Sequence, residues 1–316
     1  MNKRIILAGG SGFLGQRLAA HLEPLGWEPV VLTRSPNAHA HFNEIQWDAK
    51  TIGPWAAALN DAEAVINLTG RSVNCRYTPA NRRAILESRV DSTRVIGEAI
   101  ARCANPPRTW LNASTATLYE HTFGPPHDET SMAFEATMDA KDAFSVSVGR
   151  AWEKALNDAL TPSTRKVALR ITIVFGTVEG GVFRIMRRLA KLGLGGRMGS
   201  GRQYVSWIHE EDFCRAIEWV LTHEQLCGPI NIAAPNPLTN ANMTAAFLEV
   251  TGVPIGLRAF KWMLEIGAFF MRTETELLLK SRRVVPGKLL ASGFQFRFPD
   301  FEPALRELEA RLHSIQ

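Results

Sequence analysis

Short apolar runs alternate with amphipathic stretches through the first half of the chain. An apolar run predicts a strand that is buried on both faces, and helical spacing of apolar residues predicts a helix that covers such a strand. The predicted strands lie at residues 5–8, 29–34, 45–48, 62–70, 109–113 and 166–174, and the longer predicted helices at 79–103 and 144–159. This alternation predicts an α/β fold with a doubly wound parallel sheet.

A glycine-rich turn separates the first strand from the helix that carries Leu18 and Leu22 on one face. Gly9, Gly12 and Gly15 have the spacing G-x-x-G-x-x-G. Glycines let the backbone approach a pyrophosphate, and the free N–H groups of the helix N-terminus attract phosphates. Strand, turn and helix in this order predict a dinucleotide-binding domain of the Rossmann type. A tight turn in an α/β protein that binds no nucleotide is the alternative.

The second half of the chain has a different pattern. Helices are predicted at 182–194 and from residue 240 to about 251, and strands at 204–209 and 229–233, the latter as a last strand of the main sheet. We therefore predict a dinucleotide-binding domain at 1–175, to which 205–234 returns. The segments 176–204 and 235–316 should form a smaller substrate lobe interleaved with it.

The ends of the predicted strands indicate which nucleotide is bound. Arg34 ends the second strand, where an NAD enzyme carries an acid for the adenosine ribose. A guanidinium there pairs with a 2′-phosphate, so the sequence favours NADP(H), with a solvent-exposed arginine as the alternative. Asp48 ends the third strand, where its carboxylate either meets the adenine amino group or lies in solvent. Leu68, Thr69 and Gly70 end the fourth strand and should border the cofactor cleft.

Composition excludes several other classes of protein. Of 316 residues, 36 are Lys or Arg and 31 are Asp or Glu, and the net charge of +5 is scattered, so neither nucleic acid nor a membrane is an expected partner. The four cysteines have no paired spacing, which argues against a metal site and favours the cytoplasm. We expect no signal peptide. The apolar residues 262–271 contain Glu265, are too short to span a bilayer and predict a core helix.

Several further motifs resemble those of the atypical extended short-chain dehydrogenase/reductases. The resemblance extends over essentially the whole chain, and its motifs are the glycine turn, Asn67-Leu68-Thr69-Gly70, Ser88-Arg89-Val90, Trp152-Glu153, residues 199–203, Trp207-Ile208-His209 with Asp212, residues 234–237 and residues 291–294. They are similar to the subgroup called epimerase family proteins, which ends in a small C-terminal domain of unknown function. The resemblance implies a Rossmann fold, NADP(H) in the cleft and a smaller substrate lobe. Fold alone does not establish the reaction.

The resemblance also implies residue roles. The residues that match the family's pyrophosphate loop are Gly9, Gly10, Ser11, Gly12, Phe13 and Leu14. Thr33 and Arg34 match its 2′-phosphate site, and Leu68 and Thr69 match the turn beside the cofactor ribose. Arg89 matches an arginine that reaches a cofactor phosphate, although its spacing alone predicts an exposed helix residue. Val174 matches a position near the nicotinamide.

The catalytic residues of that family are only partly present. Thr115 falls at the place of a Ser/Thr that orients the substrate oxygen. The family also uses a tyrosine with a lysine four residues later, because an unperturbed phenol of pKa near 10 is a poor base at neutral pH. No Tyr-x-x-x-Lys exists in this chain, and Ser145 and Gly149 stand in the two places.

Three hypotheses follow from this gap. In the first, the protein is an NADP(H)-dependent oxidoreductase or epimerase with a replacement acid, for which Tyr119, Tyr204 and His209 are the candidates. In the second, it binds NADP(H) without turnover, as a sensor or partner-binding protein. In the third, the nucleotide is structural. Each candidate also has a structural interpretation, and His209 could cap the helix that follows it. We place Thr115 and Tyr119 as catalytic and Tyr204, Trp207 and His209 at the cleft for an unidentified small-molecule substrate. A homodimer through helices 79–103 and 144–159 is typical of the fold.

Overall fold

The computed structural model describes residues 3–138, 142–258 and 280–315. The strands are β1 (Lys3–Ala8), β2 (Trp27–Thr33), β3 (Asn43–Gln46), β4 (Ala64–Asn67), β5 (Thr109–Thr115), β6 (Arg165–Ile171), β7 (Ile173–Phe175), β8 (Tyr204–Val205), β9 (Trp207–His209), β10 (Gly228–Ile232) and β11 (Leu238–Thr239). The helices are α1 (Phe13–Leu22), α2 (Pro79–Ala101), α3 (Ala143–Asp158), α4 (Val182–Lys191), α5 (Glu210–Thr222), α6 (Asn240–Thr251), α7 (Gly287–Ala291) and α8 (Phe301–Ile315), and 3₁₀ turns lie at Glu23–Leu25, Pro54–Leu59 and Ala116–Leu118.

Within those ranges, a parallel sheet of seven strands runs in the order β3-β2-β1-β4-β5-β6-β10. This confirms the doubly wound α/β fold and the return of residues 229–233 to the main sheet. β1 pairs with β2 on one side and with β4 on the other, and the chain crosses from β3 at the edge of the sheet back to β4. The strand order therefore reverses at β1, and a crevice opens beyond the carboxyl ends of β1 and β4.

Alternating residues of β1 explain why helices cover both faces of the sheet. Ile5 and Leu7 pack in one core with Leu18 and Leu22 of α1 and with residues of α5. Ile6 and Ala8 pack in a second core, with α2, α3 and the turn at Pro54–Leu59 on the opposite face. A strand that buries both faces has no polar side, which is why the sequence of β1 is a continuous apolar run.

A third core lies away from the sheet. Helices α4, α6 and α8 surround Phe175, Phe183, Phe247 and Phe301, and Trp207 of β9 packs edge-on against Phe301 with ring centroids 4.9 Å apart. This core is the structural counterpart of the predicted smaller lobe. The proposed residue boundaries of the two domains stay a prediction.

Two predicted strands are divided in the structure. The strand predicted at 166–174 breaks at Thr172, whose N–H and hydroxyl both donate to the Ile232 carbonyl, and β7 then pairs with β9 instead of with the main sheet. The strand predicted at 204–209 breaks at Ser206, whose hydroxyl donates to the Arg282 carbonyl at 2.8 Å. Consequently β8 pairs with β11 and β9 with β7, so 204–209 is not one strand.

One buried carboxylate joins three helices. Glu210, at the start of α5, accepts hydrogen bonds from Arg17 of α1 at 3.2 Å and from Arg311 of α8 at 2.6 Å. Burial raises the pKa of this carboxyl, and the two guanidinium groups oppose that shift. The first helix of the chain is thereby tied to the last helix that the structure describes.

The predicted core helix at 262–271 lies outside the described residues. Among the helices that the structure does describe, none is both long enough and apolar enough to cross a bilayer.

Candidate functional site

The glycine turn places the N-terminus of α1 at the crevice. Gly9 has a φ of +72°, which a side chain would strain, and a Cβ on Gly15 would lie 2.4 Å from the Gly10 Cα. Gly12 is the N-cap of α1, no side chain caps this helix, and its first turn contains no acid. The first N–H groups of α1 therefore face the crevice without a side-chain acceptor, as binding of a phosphate requires.

Asn67 fixes the turn on the other side of the crevice. Its Nδ2 donates to Asn112 Oδ1 at 2.8 Å, and its Oδ1 accepts from the Thr69 N–H at 3.0 Å. These bonds hold the backbone of Leu68 and Thr69 in place after β4 ends. The Thr69 hydroxyl oxygen is buried and has no hydrogen-bond partner within the described ranges. An unpartnered buried hydroxyl is costly, so its presence at the crevice is a mark of a ligand site.

Two cavities meet at this crevice. We name the larger the Arg34 cavity; it has a volume of about 740 Å³, and its lining includes Ser11, Thr33, Arg34, Asp48 and Thr69. We name the other the Thr115 cavity; it has a volume of about 630 Å³, and its lining includes Phe13, Leu14, Tyr77, Arg89, Thr115 and Ser145. Gly9, Gly12, Leu68, Gly70 and Ser72 border both. An extended ligand could therefore pass from one cavity to the other across the glycine turn.

The Arg34 cavity brings together the residues predicted for the adenosine phosphate. Thr33 Oγ1 donates to Ser11 Oγ at 3.1 Å, and the exposed Arg34 follows directly on β2. No Asp or Glu side chain stands at the end of β2. Asp48 borders the same cavity but is engaged in its own turn, where Thr51 Oγ1 donates to Oδ2 at 2.6 Å. Hydrogen bonds from Thr51 and Lys50 hold the pKa of Asp48 at about 2.

The spacing of Arg89 alone predicts a solvent-exposed side chain. In the structure, Arg89 lines the Thr115 cavity instead. Its Nη1 donates to the Ile85 carbonyl at 3.0 Å and to the Arg71 carbonyl at 3.1 Å, and its guanidinium lies 5.0 Å from the Trp152 ring. Burial lowers the pKa of Arg89 to about 10, and a negative charge on Tyr77 would oppose this shift. Arg89 forms no ion pair with any carboxylate in the part of the chain that is described.

Thr115 and Ser145 both line the Thr115 cavity. Gly149, which stands at the place of the family's lysine, is packed too closely to accept a side chain. Thr115 Oγ1 accepts the Thr117 N–H at 3.1 Å, which begins a 3₁₀ turn, and keeps its own proton to donate. A Cβ on Gly149 would lie 2.7 Å from the Leu118 Cγ and 3.1 Å from the Thr115 Cγ2. The local packing has closed the space in which a lysine would stand.

The expectation that Tyr119 faces the cleft requires correction. Its side chain is 2% exposed and is absent from the lining of either cavity. The phenol donates to Asn231 Oδ1 and accepts from Arg170 Nη1, both at 2.9 Å, and Arg170 also binds both carboxylate oxygens of Glu153 at 2.8 Å. Burial raises the pKa of Tyr119. Both hydrogen bonds of this phenol go to buried side chains of the protein, so it cannot reach a substrate in either cavity to exchange a proton.

The expected substrate residues in the second half also lie away from the cavities. Trp207 is buried in the third core and donates its indole N–H to the Asn236 carbonyl at 3.1 Å. His209 is fully buried; Nδ1 accepts the Glu211 N–H at 3.1 Å and Nε2 bonds to Glu307 at 2.9 Å. The capping interpretation of His209 is therefore the correct one. The Tyr204 ring lies under Arg283, 4.4 Å from the guanidinium carbon.

Two predicted cofactor residues stand behind the surface of the cavities. Gly10 is buried, and a Cβ there would lie 2.8 Å from the Leu7 carbonyl oxygen. Val174 lies in β7 and packs against the core of α1 and α5, whereas Ile171 and Thr172 border the Thr115 cavity. Any role of Val174 near the nicotinamide stays a prediction.

Sequence reasoning missed several residues that the Thr115 cavity contains. Tyr77 comes from the loop between β4 and α2, while Phe144 and Trp152 come from α3. The loop has no periodicity from which its direction could be predicted. Asn81 stands four residues after Tyr77, so the family's Tyr-x-x-x-Lys motif does not indicate this tyrosine, and spacing alone says nothing of a partner elsewhere in the chain.

Comparisons with known proteins agree with this geometry. A model described as the NAD dependent epimerase/dehydratase family matches residues 5–233, and a domain of unknown function, DUF1731, matches 259–308. Human epimerase family protein SDR39U1 is 31% identical over 314 residues, covering 97% of this chain and 100% of that protein. Epimerase family protein MT2273 of Mycobacterium tuberculosis is 33% identical over 305 residues, covering 96% and 97%. A crystal structure of human SDR39U1 isoform 2 with NADPH superposes with a TM-score of 0.85 at 29% identity, covering 97% of this chain and 99% of that one.

Proposed function

Because this chain belongs to the NAD-dependent epimerase/dehydratase family of extended short-chain dehydrogenases, we propose that it binds NADP(H) and acts as an oxidoreductase on a small carbonyl or alcohol. Arg34 carries the choice of nucleotide, because a guanidinium at the end of β2 pairs with a 2′-phosphate and a carboxylate there would favour NAD. The presence of NADPH in the human relative's structure supports the same choice.

The chain's own residues fit such a nucleotide. The uncapped N-terminus of α1 would hold the pyrophosphate, and Ser11, Thr33 and Arg34, which line the Arg34 cavity, would hold the 2′-phosphate. Leu68 and Gly70 lie at the shared border of the cavities, where the ribose would pass, and Thr69 lines the Arg34 cavity beside them. Asp48 is free to accept a hydrogen bond from adenine on the oxygen lone pairs that its own turn leaves unused.

The Thr115 cavity is the place for the reaction. When bound, reduced nicotinamide supplies a hydride to a carbonyl carbon. The Thr115 hydroxyl proton is free to form a hydrogen bond to the carbonyl oxygen and so to orient the substrate. The rings of Phe13, Phe144 and Trp152 line the cavity with apolar surface.

Nucleotide preference tests this proposal directly. NADPH should raise the Tm of the wild-type protein more than NADH does. Arg34→Asp should lose at least ~10-fold in NADPH affinity, because a charge-assisted hydrogen bond to phosphate contributes about 1.5–3 kcal/mol. In this variant, NADPH and NADH should raise the Tm by more similar amounts than in the wild type. Arg108→Asp, at a side chain that is 75% exposed, serves as the charge-matched control and should bind NADPH as the wild type does. Equal stabilisation of the wild type by NADPH and NADH would contradict the proposal.

A sensor that binds NADP(H) without turnover is the second candidate. The observation in its favour is the tight packing of Gly149 against Leu118 and Thr115, which leaves no space for the family's lysine. Oxidation of NADPH in a panel of aldehydes, ketones and sugar nucleotides would support the enzyme. Nucleotide-dependent capture of a defined partner, with no turnover in the panel, would support the sensor.

A further inference from the structure

The Thr115 cavity holds one phenol and one cation from outside the family's catalytic places. Of the chain's three tyrosines, Tyr77 is the one that borders this cavity, since Tyr119 is buried in its own cluster and Tyr204 lies under Arg283. We propose that Tyr77 donates the proton in the reaction and that Arg89 stabilises the phenolate that results, in place of the missing tyrosine–lysine pair. This inference rests on the proposed oxidoreductase function.

The ring of Tyr77 is held by residues of both neighbouring helices. It packs edge-on against Phe144 of α3 with centroids 5.0 Å apart, and Arg82 of α2 lies 4.9 Å from the Phe144 ring and 5.9 Å from the Tyr77 ring. Arg82 Nε also donates to the Tyr77 carbonyl at 2.9 Å. A phenol in a fixed position can be presented to a substrate without loss of further side-chain entropy.

Arg89 is placed to favour the charged form of that phenol. The carbonyls of Ile85 and Arg71 fix its Nη1, the Trp152 ring covers the guanidinium, and no carboxylate of the described residues neutralises it. Arg89 and Tyr77 line the same cavity, and a negative charge on Tyr77 would favour the protonated form of Arg89. A cation close to a phenol favours phenolate, which is the role that a lysine has in the family.

The proton transfer balances with a bound reduced dinucleotide as the reductant. As the carbonyl carbon receives the hydride, the C=O π bond breaks and the oxygen takes the proton from Tyr77 Oη, which forms the alcohol. The carbonyl is reduced and the nucleotide is oxidised. Tyr77 is left as phenolate beside Arg89 and regains a proton from water before the next turnover.

Titration of the tyrosines without nucleotide gives the first test. Phenolate absorbance is measured against pH, and with three tyrosines the transition that disappears in Tyr77→Phe can be assigned. The Tyr204→Phe control should retain this transition. Arg89→Met should move it to higher pH, and Arg89→Lys, which keeps a cation, should leave it near the wild-type position. A transition that does not respond to Arg89→Met overturns the proposal.

Turnover gives the second test, with phenanthrenequinone as a planar dicarbonyl probe suited to a ring-lined cavity. Tyr77→Phe should lower kcat by about 10²–10⁴-fold and remove the fall in kcat at high pH, with the NADPH Kd unchanged. An unchanged kcat overturns the proposal. Failure of NADPH to stabilise even the wild type would instead reject the proposed function, while the nucleotide-free titration would still report on Tyr77 and Arg89.

Discussion

Polar groups at the glycine turn lack hydrogen-bond partners among the described residues, whereas polar side chains around Tyr119 are hydrogen-bonded within the protein. At the turn, the Thr69 hydroxyl oxygen has no partner in the described chain, and no side chain caps α1. Around Tyr119, Arg170 donates both to the phenol and to Glu153, and Ser114 Oγ adds a bond to Glu153 at 2.7 Å. We call this second group the tyrosine cluster. Polar groups that satisfy one another stabilise the fold, and groups that stay open at a cavity indicate where a ligand binds.

The largest expected effect separates the two regions by stability. Arg170→Met should lower the free energy of unfolding by about 3 kcal/mol or more, because it leaves the Glu153 carboxylate in a poorly hydrated site without its cation. Denaturant unfolding measures this change. NADPH affinity of the folded variant should stay at the wild-type value, since Arg170 borders neither cavity. A loss of nucleotide binding without a loss of stability would break the comparison.

A pair of identical substitutions makes the comparison quantitative. Thr93 Oγ1 donates to the Arg89 carbonyl at 2.8 Å and accepts from Trp152 Nε1 at 3.1 Å, whereas Thr69 Oγ1 has no partner among the described residues. Thr93→Val should therefore cost about 1–3 kcal/mol in free energy of unfolding. Thr69→Val removes a buried hydroxyl that no described residue satisfies, so it should not lower the free energy of unfolding, and it should weaken NADPH binding. Equal costs at both sites would show that Thr69 has an internal partner after all.

The smallest expected effect concerns His209 and acid. Burial lowers the pKa of this histidine, while Glu307 and Asp212 oppose the shift and Arg311 adds to it. Below a pH of about 6.5, His209 is protonated in the unfolded chain but still neutral in the folded chain. The free energy of unfolding should therefore fall as the pH drops. His209→Asn, which keeps an N-cap acceptor for α5, should flatten this fall by about 1 kcal/mol or less per pH unit. A wild-type pH profile identical to that of the variant would contradict this account.

The sequence predicted local structure well and side-chain direction poorly. The order of β1, glycine turn and α1 follows from spacing within a short segment, and the structure has it as predicted. The direction of Tyr119 depends on Arg170 and Asn231, which are 51 and 112 residues away. No periodicity carries that information. The break of the predicted strand at Thr172 likewise depends on a carbonyl of β10.

The same limit applies to chemistry. The absence of Tyr-x-x-x-Lys could be established from the sequence, because the motif is local. The position of Tyr77 and Arg89 at one cavity could not, because a loop and a helix bring them together only in the folded chain.

The bonds from Glu210 to Arg17 and Arg311 also have a consequence for the synthesis of the chain. A ribosome completes α1 early and α8 on the order of tens of seconds later. Until α8 emerges, the buried carboxylate has one of its two cations, and the helix at the nucleotide crevice lacks its full anchorage. The nascent protein should therefore bind a dinucleotide with its full affinity only after Arg311 has been translated. Nucleotide binding by nascent chains of different lengths would then report whether α8 is present.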